Sequence, residues 1–213
     1  MLERVAFKSR EEWLRGRLRG IGGSEAAAAV GMSPWMTTTE LWKLKTGETE
    51  AKDLSDNAAV QQGVRMEPAI REFFKALHPE LTVEYHAFDI LFQKERPWLF
   101  ATLDGELVAE DGRRGILEIK TATPIGKAGR SKWSDGNLPE NYYIQLLHQL
   151  LATGYDFAYL FAALYSMNGD ITLREYELDR ADVEADLAWL LDKEEAFWKH
   201  VENRTIPPTL LTL

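Results

Sequence analysis

The segments that decide the fold class of this chain are Ala101-Thr102-Leu103-Asp104-Gly105 and Gly115-Ile116-Leu117-Glu118-Ile119-Lys120. The apolar residues of the second segment predict a β-strand that is buried on at least one face. Because side chains alternate along a strand, Glu118 and Lys120 point to the same side. Two charges on a buried strand are costly unless they pair tightly or hold a metal ion. We therefore predict that Asp104 and Glu118 bind a hard divalent cation, with Lys120 beside it.

A third carboxylate, Glu67, precedes these segments in the stretch Gly63-Val64-Arg65-Met66-Glu67-Pro68. Gly63 lies four residues earlier on the same face of a predicted helix, so another backbone or a substrate can approach closely there. Three carboxylates can hold two divalent ions, about 3.5–4 Å apart, that activate water and stabilise a leaving oxygen. Ligation by oxygen alone favours magnesium or manganese over zinc. The pattern is typical of a metal-dependent phosphodiesterase of the PD-(D/E)xK type.

Each of these residues also has an ordinary structural explanation. Asp104 precedes Gly105, where a plain turn aspartate is common. Glu118 and Lys120 are also compatible with the exposed polar face of an edge strand. The three carboxylates and the lysine, taken together, favour the metal site over these alternatives.

The composition limits the classes to which the chain can belong. Its 213 residues favour a single domain over residues 1–213, with a core at about 13–178 and a C-terminal helix and tail over 179–213. The absence of cysteine excludes disulfides, thiolate-bound zinc and iron–sulfur clusters. We find no signal segment at the N-terminus and no apolar run approaching the roughly 18 residues of a spanning helix. These features predict a cytoplasmic protein without a membrane segment.

The distribution of charge matters more than its sum. A net charge of -9 argues against a generic nucleic-acid binder. Acidic residues dominate from Glu175 to Glu202, whereas basic residues dominate from Arg113 to Trp133 and include Lys127, Arg130 and Lys132. An acidic face and a basic, DNA-binding zone can therefore coexist, although both runs are equally compatible with plain solvated surface.

Hydrophobic periodicity and turn signals predict an α/β fold of mixed α+β character, with a central mixed sheet flanked by helices. We predict helices over residues 9–18, 25–30, 39–47, 58–77, 140–152 and 179–202, and strands over 82–88, 90–92, 98–102, 105–109, 115–121, 157–164 and 171–178. Ser24 and Asp179 are predicted N-caps, and Pro68 either kinks the fourth helix or begins a new one. Residues 123–137 are predicted to form a mobile basic loop, and the apolar tail over 206–213 to dock on a neighbour.

Two further groups of polar residues indicate a binding site. Tyr142, Gln145 and Gln149 share one face of the predicted helix over 140–152, as the residues of a helix that lines a site would. Arg17 and Ser24 flank the start of the predicted alanine-rich helix, where an arginine and a hydroxyl suit a phosphate. Ser24 is explained equally well as an N-cap alone. His148 is expected in the core or on the surface, and Trp35 and Trp42 in the core.

The chain resembles the lambda exonuclease family, also described as YqaJ-like viral recombinases or phage-type alkaline exonucleases. The resemblance covers about residues 13–154, and its motifs follow the family order. They are Trp13 with Arg17 and Ile21-Gly22-Gly23-Ser24-Glu25-Ala26, Gly63-x-x-x-Glu67-Pro68, Leu103-Asp104-Gly105, Leu117-Glu118-Ile119-Lys120, and Tyr142-x-x-Gln145 followed by Thr153-Gly154. The second family glutamine is Leu147 here, and Gln149 is the candidate to replace it.

This resemblance implies a restriction-endonuclease-like core and a magnesium-dependent exonuclease that degrades one strand of duplex DNA from its 5′ end. It implies two Mg²⁺ ions, replaceable by Mn²⁺, held by Asp104, Glu118, the Ile119 carbonyl and Glu67. It further implies that Lys120 orients or deprotonates the attacking water and that Gln145 contacts the scissile region. The implied DNA-binding residues are Arg17 and Ser24 at the 5′-phosphate, and we add Tyr142, Lys127, Arg130 and Lys132 as candidates.

The same resemblance implies a ring-shaped homotrimer in the host cytoplasm of a phage or prophage, working with a single-strand annealing protein in recombination. Two alternatives stay open from the sequence. One is an endonuclease with the same metal core, and the other is a catalytically idle module that binds DNA ends or a protein. The intact set of Asp104, Glu118 and Lys120 argues against the idle module.

Overall fold

The computed structural model describes residues 1–54, 56–134 and 136–208. The strands are β1 (Leu2–Ala6), β2 (Leu81–Glu84), β3 (Asp89–Gln93), β4 (Phe100–Ala101), β5 (Gly105–Ala109), β6 (Arg114–Ala122), β7 (Phe157–Tyr165) and β8 (Ile171–Asp179). The helices are α1 (Arg10–Arg17), α2 (Gly23–Ala29), α3 (Thr38–Thr46), α4 (Ala58–Leu77), α5 (Gly126–Ser131), α6 (Glu140–Thr153) and α7 (Glu184–Glu202). A 3₁₀ turn, Arg180–Val183, precedes α7.

The main sheet has five strands in the order β2-β5-β6-β7-β8. The strands β6 and β7 pair in parallel, with Glu118 opposite Leu160, and the remaining pairs are antiparallel. The parallel pair needs a crossover, which α6 provides. The predicted mixed sheet flanked by helices is therefore confirmed.

The strand β6 is buried on both faces, and this places the charged pair. Leu117 belongs to an apolar cluster with Ile70 and Phe74 of α4. Ile116 belongs to the opposite cluster, which includes Leu147 of α6. Because side chains alternate, Glu118 and Lys120 share the side of Ile116 and face α6. The polar residues of α6 thus face the only acidic side chain on β6.

A second, smaller sheet has the order β1-β3-β4 and was not predicted. Its strand β1 pairs with β3 over five residues, from Leu2 opposite Gln93 to Ala6 opposite Asp89. The side chains of β1 are half-buried or exposed, so the segment carries little hydrophobic signal. Long-range pairing fixes this strand, and local sequence does not reveal it.

Several predicted boundaries were wrong. Ser24 does not cap α2, because Gly22 is the N-cap and Ser24 lies inside the first turn. The predicted strand over 82–88 ends at Glu84 as β2, and the predicted loop over 123–137 contains the short helix α5. Asp179 caps the 3₁₀ turn, where its carboxylate accepts a hydrogen bond from Ala181 at 2.9 Å, and does not cap α7 directly.

The structure decides the question of Pro68 and the expectation for the two tryptophans. Helix α4 runs without interruption from Ala58 to Leu77, with Pro68 inside it, so no new helix begins at the proline. Trp42 is buried as expected, whereas Trp35 is 71% exposed and does not belong to the core.

The apolar tail was predicted to dock on a neighbour over residues 206–213, of which Ile206 is exposed and 209–213 lie outside the described residues. In the part of the chain that the structure describes, no helix is long and apolar enough to cross a membrane.

Candidate active site

A surface cleft of about 260 Å³ brings together side chains that are far apart in the sequence. Most of the predicted site residues line it: Glu67, Asp104, Glu118, Lys120, Gln145, Arg17 and Ser24. They come from α4, from the turn between β4 and β5, from β6, from α6 and from the α1–α2 region. The cleft therefore forms only when these distant parts of the chain have folded together.

Glu118 is the buried centre of this cleft, with 4% of its surface exposed. Its Oε1 accepts hydrogen bonds from Lys120 Nζ at 2.6 Å and from Gln145 Nε2 at 2.6 Å. Its Oε2 accepts a hydrogen bond from Gln149 Nε2 at 2.6 Å. These donors offset the cost of burying a carboxylate. The two glutamines of α6 therefore serve one acidic side chain.

Asp104 is fixed between β6 and α4 by its own backbone and side chain. Its Oδ2 accepts a hydrogen bond from the Ile119 amide at 2.8 Å, and its carbonyl accepts one from Arg71 Nε at 2.6 Å. The contact to Ile119 thus runs through the amide nitrogen. The implied role of the Ile119 carbonyl as a metal ligand stays a prediction.

Glu67 of α4 pairs with Arg71, which follows it by one helical turn and is buried. The Arg71 guanidinium also lies 3.7 Å from the ring centre of Tyr85, which lines the cleft. Arg71 therefore contacts Glu67, Asp104 and Tyr85 at once. It was not predicted, although its spacing of four residues from Glu67 on a predicted helix was a usable signal.

The cleft concentrates negative charge. Burial raises the pKa of Asp104 well above its ordinary value, and the charges of Glu118 and Glu67 raise it further. Burial also raises the pKa of Glu67, with a contribution from Glu118. Burial alone lowers the pKa of Lys120, but the charges of Glu118 and Asp104 more than offset this and raise it. A cation bound among these carboxylates would relieve their repulsion.

The donor set fits a hard divalent cation, because carboxylate oxygens are the ligands that Mg²⁺ and Mn²⁺ prefer. Among the described residues, however, no three acidic or histidine side chains are arranged to hold one ion together. The reason lies in the contacts, since Glu118 is turned towards Lys120 and the glutamines, and Glu67 towards Arg71. The metal site therefore stays a prediction from the chemistry of its donors.

Arg17 and Ser24 form a polar pair on the cleft wall. Arg17 donates a hydrogen bond to Ser24 Oγ at 3.1 Å, and its guanidinium lies 4.7 Å from the ring centre of Trp13. Lys45, whose side chain is buried, donates to the Arg17 carbonyl at 3.0 Å and forms a 2.7 Å ion pair with Glu25. Glu25 in turn accepts a hydrogen bond from the Gly22 amide at 2.9 Å. This chain of contacts fixes the backbone that carries Arg17 and Ser24.

The helix α6 presents its polar face as the spacing predicts. Gln145 and Gln149 both donate to Glu118, and Lys120 Nζ lies 4.9 Å from the ring centre of Tyr142. A side chain at Gly23 would place its Cβ 3.2 Å from the Cγ atoms of both glutamines. Glycine at this position therefore allows α2 to approach α6 closely.

His148 was not assigned a role from the sequence, and the structure places it in a buried ion pair. Its Nδ1 lies 2.7 Å from Glu194 of α7, and its Nε2 lies 2.9 Å from the Phe100 carbonyl. Because the carbonyl only accepts, Nε2 carries a proton. Burial alone lowers the pKa of His148, but Glu194 more than offsets this, so the pKa is raised. His148 thus joins α6 to α7 and β4.

The basic residues of the predicted loop lie elsewhere. Of the described residues, those that line the active-site cleft do not include Lys127, Arg130 or Lys132. Arg130 lines a second cleft of about 450 Å³ between α5 and the β7–β8 hairpin. Their role in binding DNA stays a prediction.

Comparison with known proteins relates the chain to one family and one fold. The sequence model of the family described as the YqaJ-like viral recombinase domain matches residues 12–156 of this chain. The uncharacterized protein YqaJ of Bacillus subtilis (strain 168) is 30% identical over 179 residues, which are 84% of this chain and 53% of that protein. The chain therefore spans about half the length of this relative.

The fold is similar to that of solved exonucleases. An alkaline exonuclease from Laribacter hongkongensis, LHK-Exo, matches with a TM-score of 0.65 and 21% identity, over 91% of this chain and 93% of that one. The structure of LHK-Exo in complex with dAMP matches with a TM-score of 0.67 and 21% identity over the same shares. At this identity, the match establishes a shared fold.

Proposed function

Because this chain belongs to the YqaJ-like viral recombinase family, we propose that it is a metal-dependent deoxyribonuclease that degrades one strand of duplex DNA from its 5′ end. The observation that carries the proposal is the composition of the cleft. Three carboxylates and Lys120 lie beside a separate pair, Arg17 and Ser24, that suits a terminal phosphate. We infer that this pair binds the terminal phosphate of a DNA end, and the comparison of linear with closed circular DNA described below tests this interpretation.

Each side chain of the cleft would have a distinct role in the reaction. Asp104, Glu118, Glu67 and the Ile119 carbonyl would hold Mg²⁺ or Mn²⁺, which when bound supplies an activated water and stabilises the leaving oxygen. Gln145 and Gln149 fix the orientation of Glu118, and Arg71 fixes that of Glu67. Lys120, whose ammonium already lies against Glu118 and whose pKa is raised by Glu118 and Asp104, would orient the attacking water, because an ammonium has no site for the proton of that water.

The test is digestion of linear duplex DNA labelled at the 5′ or the 3′ end, with Mg²⁺ or Mn²⁺ and with a chelator as control. We expect nucleotides to be released from the 5′ end, while closed circular duplex stays intact. Cutting of circles would replace the exonuclease with an endonuclease. Absence of digestion under all conditions would favour the idle binding module.

The lysine provides a sharper test. Lys120→Ala removes the ammonium beside Glu118, and we expect digestion to slow by about 10²–10³-fold, as for the loss of one preorganised hydrogen-bond donor. Lys94→Ala is the matched control, because Lys94 is exposed and lies outside the cleft lining. Digestion by Lys120→Ala at the parent rate would contradict the assignment.

Arg17 is proposed to read the 5′-phosphate. Arg17→Ala should reduce the preference for 5′-phosphorylated over 5′-hydroxyl ends, because a guanidinium binds phosphate through charge-assisted hydrogen bonds. The control is Arg15→Ala, since Arg15 is exposed and pairs with Glu11. Equal losses on both kinds of end would refute this role.

The partners are part of the same proposal and rest on the family resemblance. We propose that duplex DNA ends are the substrate, that three copies form a ring, and that a single-strand annealing protein binds the product. Light scattering on the purified protein tests the ring, and we expect a mass three times that of one chain. A monomer at micromolar concentration would exclude it.

A further inference from the structure

One wall of the active-site cleft is aromatic. It is formed by the segment Tyr85-His86-Ala87-Phe88, which connects β2 to β3, and all three of its rings line the cleft. Tyr85 is 48% exposed and Phe88 is 36% exposed. Exposed rings of this size are unfavourable in water, and none of them contributes a ligand to the metal chemistry described above. The segment therefore needs another explanation.

The backbone of this segment is held in an unusual conformation. Phe88 has φ of 63°, in the left-handed region that a bulky side chain rarely adopts. The surroundings hold it there, since its carbonyl accepts a hydrogen bond from the Phe7 amide at 3.2 Å. The centre of its ring lies 6.1 Å from that of Trp13, and the other ring contact of Trp13 described above is with the guanidinium of Arg17. Strained backbone of this kind concentrates at ligand sites.

Tyr85 is the ring best placed to bind a ligand. Arg71 covers one face of the ring at 3.7 Å from its centre, and the ring borders the cleft beside Glu67 and Asp104. A ring supported on one face by a buried guanidinium has little freedom to turn away. The uncovered part of Tyr85 is therefore a preorganised stacking surface next to the carboxylates.

We propose that the Tyr85–Phe88 segment is a nucleobase-stacking subsite, in which Tyr85 stacks on an unpaired base of the strand whose phosphate lies among the carboxylates. The inference rests on the proposed nuclease function and extends it. Stacking on an aromatic ring tolerates every base, which suits an enzyme that acts without regard to sequence. Arg17 at the phosphate and Tyr85 at the base would fix the strand at two points.

The first experiment measures whether Tyr85 and a base depend on each other. Duplex ends carry a single abasic nucleotide at the first, second or third position, and kcat/KM is measured for the parent, Tyr85→Ala, Tyr85→Phe and Trp189→Ala. At one position, we expect the abasic change and Tyr85→Ala each to cost about tenfold, or about 1.4 kcal/mol, without adding to each other. Tyr85→Phe should retain the dependence on the base, and Trp189→Ala, exposed and outside the cleft lining, should match the parent.

The second experiment does not require catalysis. A 5′-phosphorylated single strand carrying 2-aminopurine is titrated with the protein in the presence of Ca²⁺, which carboxylates also bind, in place of Mg²⁺, and quenching of its fluorescence reports stacking. We expect quenching with the parent and with Tyr85→Phe, and its loss with Tyr85→Ala. Equal quenching by Tyr85→Ala, no binding by the parent, or losses that multiply at every abasic position would overturn the subsite. Lack of digestion combined with Tyr85-dependent quenching would instead refute only the nuclease function.

Discussion

At the scale of single residues, Glu118 depends on an amide donor at each of its oxygens. Gln149→Leu keeps the size of the side chain but leaves Oε2 of a buried carboxylate without its 2.6 Å partner. We expect the free energy of unfolding to fall by about 1–3 kcal/mol, the usual cost of an unsatisfied buried group, and digestion to slow as Glu118 loses its orientation. Urea denaturation and end-labelled digestion measure the two effects.

The comparison for this variant is Gln145→Leu, which removes the donor at Oε1 while Lys120 still contacts that oxygen. We therefore expect Gln145→Leu to destabilise the protein less than Gln149→Leu. The opposite order would mean that Gln149 is not the principal support of Glu118.

Much of this site is predictable from the sequence, because the residue types and the periodicity of strands and helices are enough to place them on shared faces. The shared face of Glu118 and Lys120 follows from strand alternation, and that of Gln145 and Gln149 from helical spacing. Tyr85 was expected in a strand and Arg71 received no role, because both depend on where the chain returns in space. A half-exposed ring in a connection has no periodic signal.

At the scale of elements, α6 is fastened to α7 and β4 through His148, and this pair gives stability a pH dependence. The folded pKa of His148 is raised above the ordinary value of 6.5, so the folded state binds the proton more tightly. The stabilisation is fully present below about pH 6.5 and is lost as pH rises through the raised folded pKa. We expect parent stability, measured by urea denaturation from pH 6 upwards, to decline in that window more than that of His148→Gln.

Two histidines serve as references for this effect. His78 also has a raised pKa, because the hydrogen bonds and charges of Glu175 and Glu80 outweigh the opposing effect of its burial, and it is common to parent and variant. His200→Gln, a change at a surface residue bonded to Thr205, should leave the slope unchanged. An identical slope in His148→Gln and parent would show that the pair does not couple α6 to α7.

The elements themselves were predictable where hydrophobic periodicity was strong. Helix α4 and helix α6 follow from it, and the turn signal Asn168-Gly169 adds the hairpin of β7 and β8, whereas β1 was not predicted. The strand β1 exposes most of its side chains and buries no periodic stripe, and the strand predicted over 98–102 is confirmed only as the two residues of β4, Phe100–Ala101. Such strands are specified by their partners in the sheet.

At the scale of the whole molecule, one buried carboxylate connects the two sheets. Glu106 of β5, in the main sheet, is 3% exposed and accepts hydrogen bonds from Arg4 of β1, from Arg114 of β6 at 2.9 Å and from Tyr155 at 2.6 Å. Burial alone raises the pKa of Glu106, but the bonds from Tyr155 and Arg4 more than offset this, and the pKa is lowered. No periodic pattern reveals this contact, because Arg4 and Glu106 belong to different sheets.

Glu106→Gln tests whether this carboxylate holds the sheets together. We expect the variant to lose about 1–3 kcal/mol of unfolding free energy at neutral pH, since both arginines lose a buried charged partner although each is itself partly exposed. Because the folded pKa is lowered, the stabilisation is present above the ordinary value of 4.5 and disappears as pH falls through the folded pKa. The free energies of unfolding of parent and variant, measured by urea denaturation, should therefore converge at acid pH.

The control is Glu110→Gln, at an exposed position just beyond β5, which should match the parent throughout. A constant difference between parent and Glu106→Gln down to pH 3 would mean that lost packing, and not the charge, causes the effect.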